Sequence, residues 1–277
     1  MTIVASDLQT HPHQRSPAGA HDRALSEAKF LHVKYGDLQA GGWGPRLRAR
    51  FGHVTPDDRY EYVVSQRVTP GTDWLDVGCG RFLFPHNKAM AKTLAERCGS
   101  LTGIDPSDNL FENELLDHRE QCLLQDYKPS RRYDLVTLRM VVEHITDPAG
   151  AASALADLVR PGGHVIIYTV NKLSPISLLS AVTPTSLHLK VKRKLWGGED
   201  KDTFPTVYKM NTRRDLAKLL AVAGFVEDAF EYLANTRVSA HYRLWNILEL
   251  TTWRLLGRLG VMYPENCLLG VYRRTGA

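Results

Sequence analysis

The chain has 277 residues, 43% of them hydrophobic and 23% charged, the balance of a folded globular protein rather than a disordered one. No run of 18 apolar residues occurs, which argues against a membrane-spanning helix. The net charge of +5 suits an anionic substrate or surface but does not reach the footprint of a dedicated nucleic-acid binder.

Residues 1–25, rich in His, Pro, Ser and Ala, read as a loose tail lacking the basic start and apolar block of a secretory signal. Four widely spaced cysteines (Cys79, Cys98, Cys122, Cys267) match neither disulfide-framework nor zinc-ligand spacing, so a reduced, cytoplasmic setting is expected. Residues 26–277 are read as one domain. TPDDRYEYVVSQRV (55–68) suits a helix ahead of a sheet, with Thr55 or Asp57 as its cap. WLDV (74–77) suits a buried strand and runs straight into Gly78-Cys79-Gly80. FPHNKAMAKTLAERC (84–98) reads as a helix, LTGID (101–105), CLLQ (122–125) and DLVTL (134–138) as strands. DPAGAASALADLV (147–159) is a helix with an Asp-Pro opening that stops before the breaker Pro161-Gly162-Gly163, and HVIIYTV (164–170) is the fifth strand. RRDLAKLLAVAGF (213–225) is a helix closed by Gly224, followed by strands at 225–232 and 266–274. Seven strands alternating with helices imply right-handed crossovers and an α/β, doubly wound, mostly parallel sheet covered on both faces. Residues 171–211 and 233–263 interrupt the alternation as insertions with helical character.

In an open parallel sheet, ligands bind beyond the carboxyl ends of the strands, where strand order reverses. Gly78 and Gly80 would let the backbone approach such a ligand. The plain alternative is a tight turn in which glycine is merely permissive. Asp105 closes the second strand, where a carboxylate can accept bonds from both hydroxyls of a ribose. A nicotinamide-dependent oxidoreductase shares that acid, but its fingerprint asks for Gly or Ala where this chain has Leu83.

LDVGCGR at 75–81, GIDPS at 103–107, YDLVTLRMVVEHI at 133–145 and LVRPGGHVII at 158–167 resemble the four ordered motifs of class I S-adenosylmethionine-dependent methyltransferases. The resemblance covers roughly residues 55–232, and the Glu-His-Ile after the fourth strand is similar to the small-molecule branch that includes ubiquinone-type O-methyltransferases. It implies a Rossmann-like methyltransferase fold with S-adenosyl-L-methionine as cofactor. On that resemblance Asp76, Gly78 and Gly80 flank the methionine portion, Asp105 binds the ribose and Asp126 contacts the adenine amino group. Arg139 and Met140 line the pocket near the sulfonium. Many relatives carry a third glycine where this chain has Phe82, whose ring must point away from the cofactor or stack beside it. A cofactor-binding module without turnover is the remaining alternative, although every acid that a cofactor would need is present.

Methyl transfer from a sulfonium needs alignment, exclusion of water and, for a hydroxyl acceptor, a base. His144 is the candidate base. Glu143 beside it could orient the ring, contact a metal or hold the turn. No metal is expected, because Met140 stands where some ubiquinone-type relatives have an acid and is a poor ligand for a hard cation.

The acceptor is expected to be a small molecule, apolar or lipid-linked, held by the two insertions. The first supplies His188, Trp196, Tyr208 and Asn211 with a basic run at Lys190, Lys192, Arg193 and Lys194, which reads equally as a solvated face. No nucleic-acid partner is expected, since no Asn-Pro-Pro-Tyr-type motif follows the fourth strand. In the second insertion, 241–260, a helical wheel puts Leu244, Trp245, Leu248, Leu255, Leu256 and Leu259 on one face, with Arg243, Asn246, Arg254 and Arg258 opposite. Such a helix packs on its own domain, pairs with a twin subunit, or lies on a membrane surface.

Overall fold

A computed structural model describes residues 26–37, 42–175, 177–178, 205–236 and 242–276. Its centre is a seven-stranded sheet made of β1 (Asp73–Val77), β2 (Ser100–Ile104), β3 (His118–Glu120), β4 (Tyr133–Arg139), β5 (Val159–Val170), β6 (Phe225–Ala234) and β7 (Asn266–Arg274), in the order β3-β2-β1-β4-β5-β7-β6. The side chains of each inner strand alternate between faces, as the two-residue repeat requires. Ile166 and Tyr168 join one apolar layer, whereas Val165 and Ile167 join the other.

Helices fill both layers. α1 (Glu27–Tyr35), α3 (Pro56–Ser65) and α4 (Lys88–Arg97) cover one face, and α5 (Pro148–Leu158) and α6 (Arg213–Val222) the other. α2 (Trp43–Phe51) and α7 (Arg243–Arg258) pack on each other. Thr55 caps α3 by accepting from Asp58 N at 3.2 Å, with Pro56 opening the helix and Asp57 and Asp58 in its positive first turn. Lys34 of α1 lies between Asp58 (2.7 Å) and Glu61 (2.8 Å) of α3, all three side chains buried.

Four features go beyond or depart from the sequence reading, and each has a physical cause. β1 to β5 are parallel, but β7 is antiparallel to both neighbours. The chain leaves β6 at Ala234 and re-enters opposite it at Asn266, so its direction must reverse. The third strand is His118–Glu120, not 122–125: it is a short polar edge strand without an apolar pattern, and 122–125 lies past its end. β5 begins at Val159 and passes through Pro161-Gly162-Gly163, helped by the positive φ of Gly162 (82°) and a register shift against β4 between Tyr133 and Leu135. Finally, α7 turns its leucine face outward. It packs through Asn246 and Leu250, which are buried, and through Trp253, which meets the His53 ring edge-on at 4.7 Å.

Candidate functional site

Strand order reverses between β1 and β4, whose carboxyl ends sit side by side with connections leaving to opposite sides. A cavity of about 800 Å³ opens there, within the range of small-ligand sites. Its walls bring together Gly78, Gly80, Asp105, Arg139, Met140 and His144, which lie far apart along the chain.

The Gly78-Cys79-Gly80 turn needs glycine for two reasons. Gly78 has φ 68°, and a Cβ there would come 2.3 Å from Val141 Cγ2. Gly80 has φ 45° and donates its N–H to Asp105 Oδ2 at 2.9 Å. The other oxygen, Oδ1, accepts from Ser107 N at 2.8 Å. Asp105 therefore stitches the loops after β1 and β2 together. An ionised carboxylate has about four acceptor positions, so two remain for a ligand on the cavity side. Cys79, also in the wall, is a thiol, because burial pushes it up far from the thiolate range.

Asp76 is placed differently. It sits opposite Thr137 in the sheet, and that hydroxyl donates to its Oδ1 at 2.6 Å while accepting from Trp74 Nε1 at 2.8 Å. Burial lifts the Asp76 carboxyl to about 7, against the pull of the Thr137 bond and of Arg139. Neither Asp76 nor the exposed Asp126 is among the described residues that line the cavity. The wall after β3 is Cys122, Leu123, Leu124 and Gln125 instead. Phe82 lies on the rim, 44% exposed, with Lys88 Nζ 4.3 Å from its ring centre.

On the β4 side, Arg139 pairs with buried Asp57 of α3 at 3.1 Å. Met140 follows with φ 54°, a left-handed conformation rare for a side-chain-bearing residue and one that clusters at functional sites. The next turn, Val142–His144, splits its two polar groups. Glu143 is buried and accepts from Thr169 Oγ1 at 2.7 Å, and Asn211 Nδ2 donates to that same hydroxyl at 2.7 Å. Burial pushes the Glu143 carboxyl up, while the Thr169 bond and the charges of His144 and Arg139 pull it down. Its carbonyl accepts from Val207 N (2.7 Å) and Tyr208 N (3.2 Å). Of the roles open to Glu143, the structure displays the holding of this turn.

His144 lines the cavity, and its Nδ1 lies 3.1 Å from the Pro205 carbonyl. That oxygen can only accept, so Nδ1 is the donor of this bond, and in the neutral tautomer that makes it, Nε2 is the acceptor nitrogen. Pro205 and Val207 are cavity residues that the motifs did not single out. Asn211 is buried in the Glu143 network rather than in the wall, and Tyr208 is likewise absent from it. His188, Lys190, Lys192, Arg193, Lys194 and Trp196 lie outside the described residues. Among the described residues no group of three His, Cys, Asp or Glu side chains could hold a metal.

Residues 42–228 match the family described as a methyltransferase domain. The ubiquinone biosynthesis O-methyltransferase of Coxiella burnetii is 30% identical over 151 residues, which are 50% of this chain and 61% of that enzyme. The enzyme of the same name from Saccharophagus degradans is 29% identical over 224 residues, covering 76% and 88% of the two chains. For the Coxiella relative the chain thus spans less than two thirds of its length. In fold, the chain is similar to the S-adenosylmethionine-dependent methyltransferase of Mesorhizobium loti, with a TM-score of 0.52 at 16% identity over 79% of this chain and 98% of that one.

Proposed function

The chain belongs to the methyltransferase-domain family, and from that premise we propose that it moves a methyl group from S-adenosyl-L-methionine to an oxygen of a small-molecule acceptor. The carrying observation is the cavity at the strand-order reversal, where Asp105 holds both loops and still has acceptor capacity toward the ligand. Asp105 would take the ribose hydroxyls, and the bare backbone of Gly78 and Gly80 would let the rest of the ligand lie close. The Leu123–Leu124 wall suits a flat base. Two cations line the cavity, Arg139, which pairs with Asp57, and Arg81, which pairs with Glu112. When bound, the cofactor supplies an activated methyl on a sulfonium. The chain's own contribution is alignment and exclusion of water.

Oxygen as the receiving atom is supported by the relatives' names and by His144, whose unprotonated Nε2 would accept the proton of a hydroxyl. Asp76 and Asp126 remain proposed cofactor contacts of less direct support, since other residues line the wall where each was expected. No observation favours the nicotinamide alternative over the family match.

The test is transfer of labelled methyl from S-adenosylmethionine to a small-molecule extract, followed by hydrolysis of the product. An ether survives mild alkali, whereas a methyl ester does not. Label recovered in amines would overturn oxygen as the receiving atom, whereas label in esters would keep oxygen but overturn His144 as the base, because a carboxylate brings no proton to remove. Calorimetric binding of NADH instead of S-adenosylmethionine would overturn the cofactor.

A further inference from the structure

Of the face of α7 that the sequence pattern marks as apolar, Leu256 is partly buried, and the described residues leave the rest largely exposed. Leu244 is 80% exposed, Leu248 and Leu255 each 55%, and Leu259 66%. At 3.6 residues per turn these four fall within an arc of about 60° along a helix about 24 Å long. Trp245 and Tyr242 stand exposed at its N-terminal end. A stripe of this length exceeds the scattered apolar exposure normal for a protein surface and marks an interaction site.

Charge decides what it meets. Arg243, Arg254 and Arg258 run along one flank, all exposed and in no ion pair with described residues. The sole acid between 242 and 260 is Glu249, which accepts from Tyr263 Oη at 2.9 Å. A second copy packed antiparallel about a two-fold axis would set this flank against itself, with Arg243 facing Arg258, and like charges repel. The basic run 190–194 of the same chain carries the same sign. A surface rich in lipid phosphates has the opposite charge, and its acyl boundary accepts leucines while its headgroup level accepts Trp and Tyr.

We propose that α7 is a docking surface for an anionic phospholipid bilayer, lying in the membrane plane with its leucine stripe inward. Among the described residues no helix is long and apolar enough to cross a membrane, so the contact is peripheral. This inference is independent of the methyl-transfer chemistry.

The experiment is flotation of the full chain with vesicles of phosphatidylcholine alone and of phosphatidylcholine mixed with phosphatidylglycerol. Wild type should float with the mixed vesicles, with affinity at least about tenfold weaker for the neutral ones and falling as salt is raised. Leu248→Asp with Leu255→Asp touches exposed positions only and should cost at least about tenfold in vesicle affinity at unchanged melting temperature. Arg243→Gln with Arg254→Gln and Arg258→Gln should remove the preference for phosphatidylglycerol. Wild type that stays with the unbound fraction, or a leucine variant that floats equally, overturns the proposal. So does a wild-type dimer in solution that the leucine variant converts to monomer, which would assign the stripe to a second copy.

Discussion

Asp105→Asn tests whether one carboxylate serves both the loop and the ligand. Both of its present partners are backbone N–H groups, Gly80 at 2.9 Å and Ser107 at 2.8 Å. The asparagine amide puts an NH2 where one oxygen stood, so one of those donors loses its acceptor, at about 1–3 kcal/mol of stability. A ribose hydroxyl loses a charged acceptor, worth about 1.5–3 kcal/mol, so affinity for S-adenosylhomocysteine should fall roughly 10- to 150-fold in calorimetry. Loop damage alone could imitate that loss, and the two are separated by a double-mutant cycle with the 2′-deoxy ligand. If Asp105 grips the ribose, deoxygenation weakens wild type but weakens the variant much less. Losses that simply add, or a folded variant binding within about threefold of wild type, would refute the assignment.

Three further outcomes are expected. Gly78→Ala must hold φ near 68° with a methyl 2.3 Å from Val141 Cγ2, and left-handed strain plus overpacking should cost about 2–5 kcal/mol in denaturant titrations; a cost below about 1 kcal/mol would show that the turn relaxes freely. Asp76 has a folded value of about 7, above the 3.8 of an unperturbed carboxyl, so the native state holds a proton that the unfolded state releases. Stability is therefore lost as pH rises from about 4 to about 7, and Asp76→Asn should gain on wild type by on the order of 2–3 kcal/mol between pH 5 and pH 8; parallel pH curves would sink the buried-acid reading. His144→Ala should lower turnover about 10²–10⁴-fold while cofactor affinity stays within about threefold, and full turnover on the physiological acceptor would remove His144 as the base.

The parts of the fold that were legible are those whose burial writes itself into composition. β1, β2, β4 and β7 are apolar runs, and each forms where its run lies. β3 was invisible because His118, Arg119 and Glu120 form an edge that buries no apolar side chain. The reversed direction of β7 was equally silent, since alternation of side chains reports burial and not direction. Site residues followed the same division. Gly78, Gly80, Asp105, Arg139 and His144 stand at or beyond strand ends, where topology alone aims them at one crevice. Asp76 stands one residue before the end of β1: it is still paired within the sheet, and Thr137 opposite it donates to its carboxylate. Asp126 directly follows 122–125, which the sequence pattern reads as the third strand; β3 itself ends at Glu120, and Cys122 through Gln125 line the wall.

The remaining wall comes from segments outside the sheet, and the bonds that moor them explain why two adjacent residues take opposite roles. Asp57 ties α3 to the rim through Arg139, and the segment at 205–208 is tied through the Glu143 carbonyl and the His144 ring. Glu143 turns its carboxylate inward, to a hydroxyl that Asn211 also holds, and burial disfavours its charge. A group so enclosed has no route to an incoming hydroxyl; removing it would leave the Thr169 hydroxyl, which Asn211 also holds, without its acceptor, while the Glu143 backbone carbonyl would still hold Val207 and Tyr208. His144, one residue on, keeps a cavity position because the same 205–208 segment supplies the carbonyl that fixes its tautomer. Glu143 thus bears on the proposed chemistry through its backbone: its carbonyl moors the stretch of chain whose Pro205 carbonyl would orient His144 for the role of base.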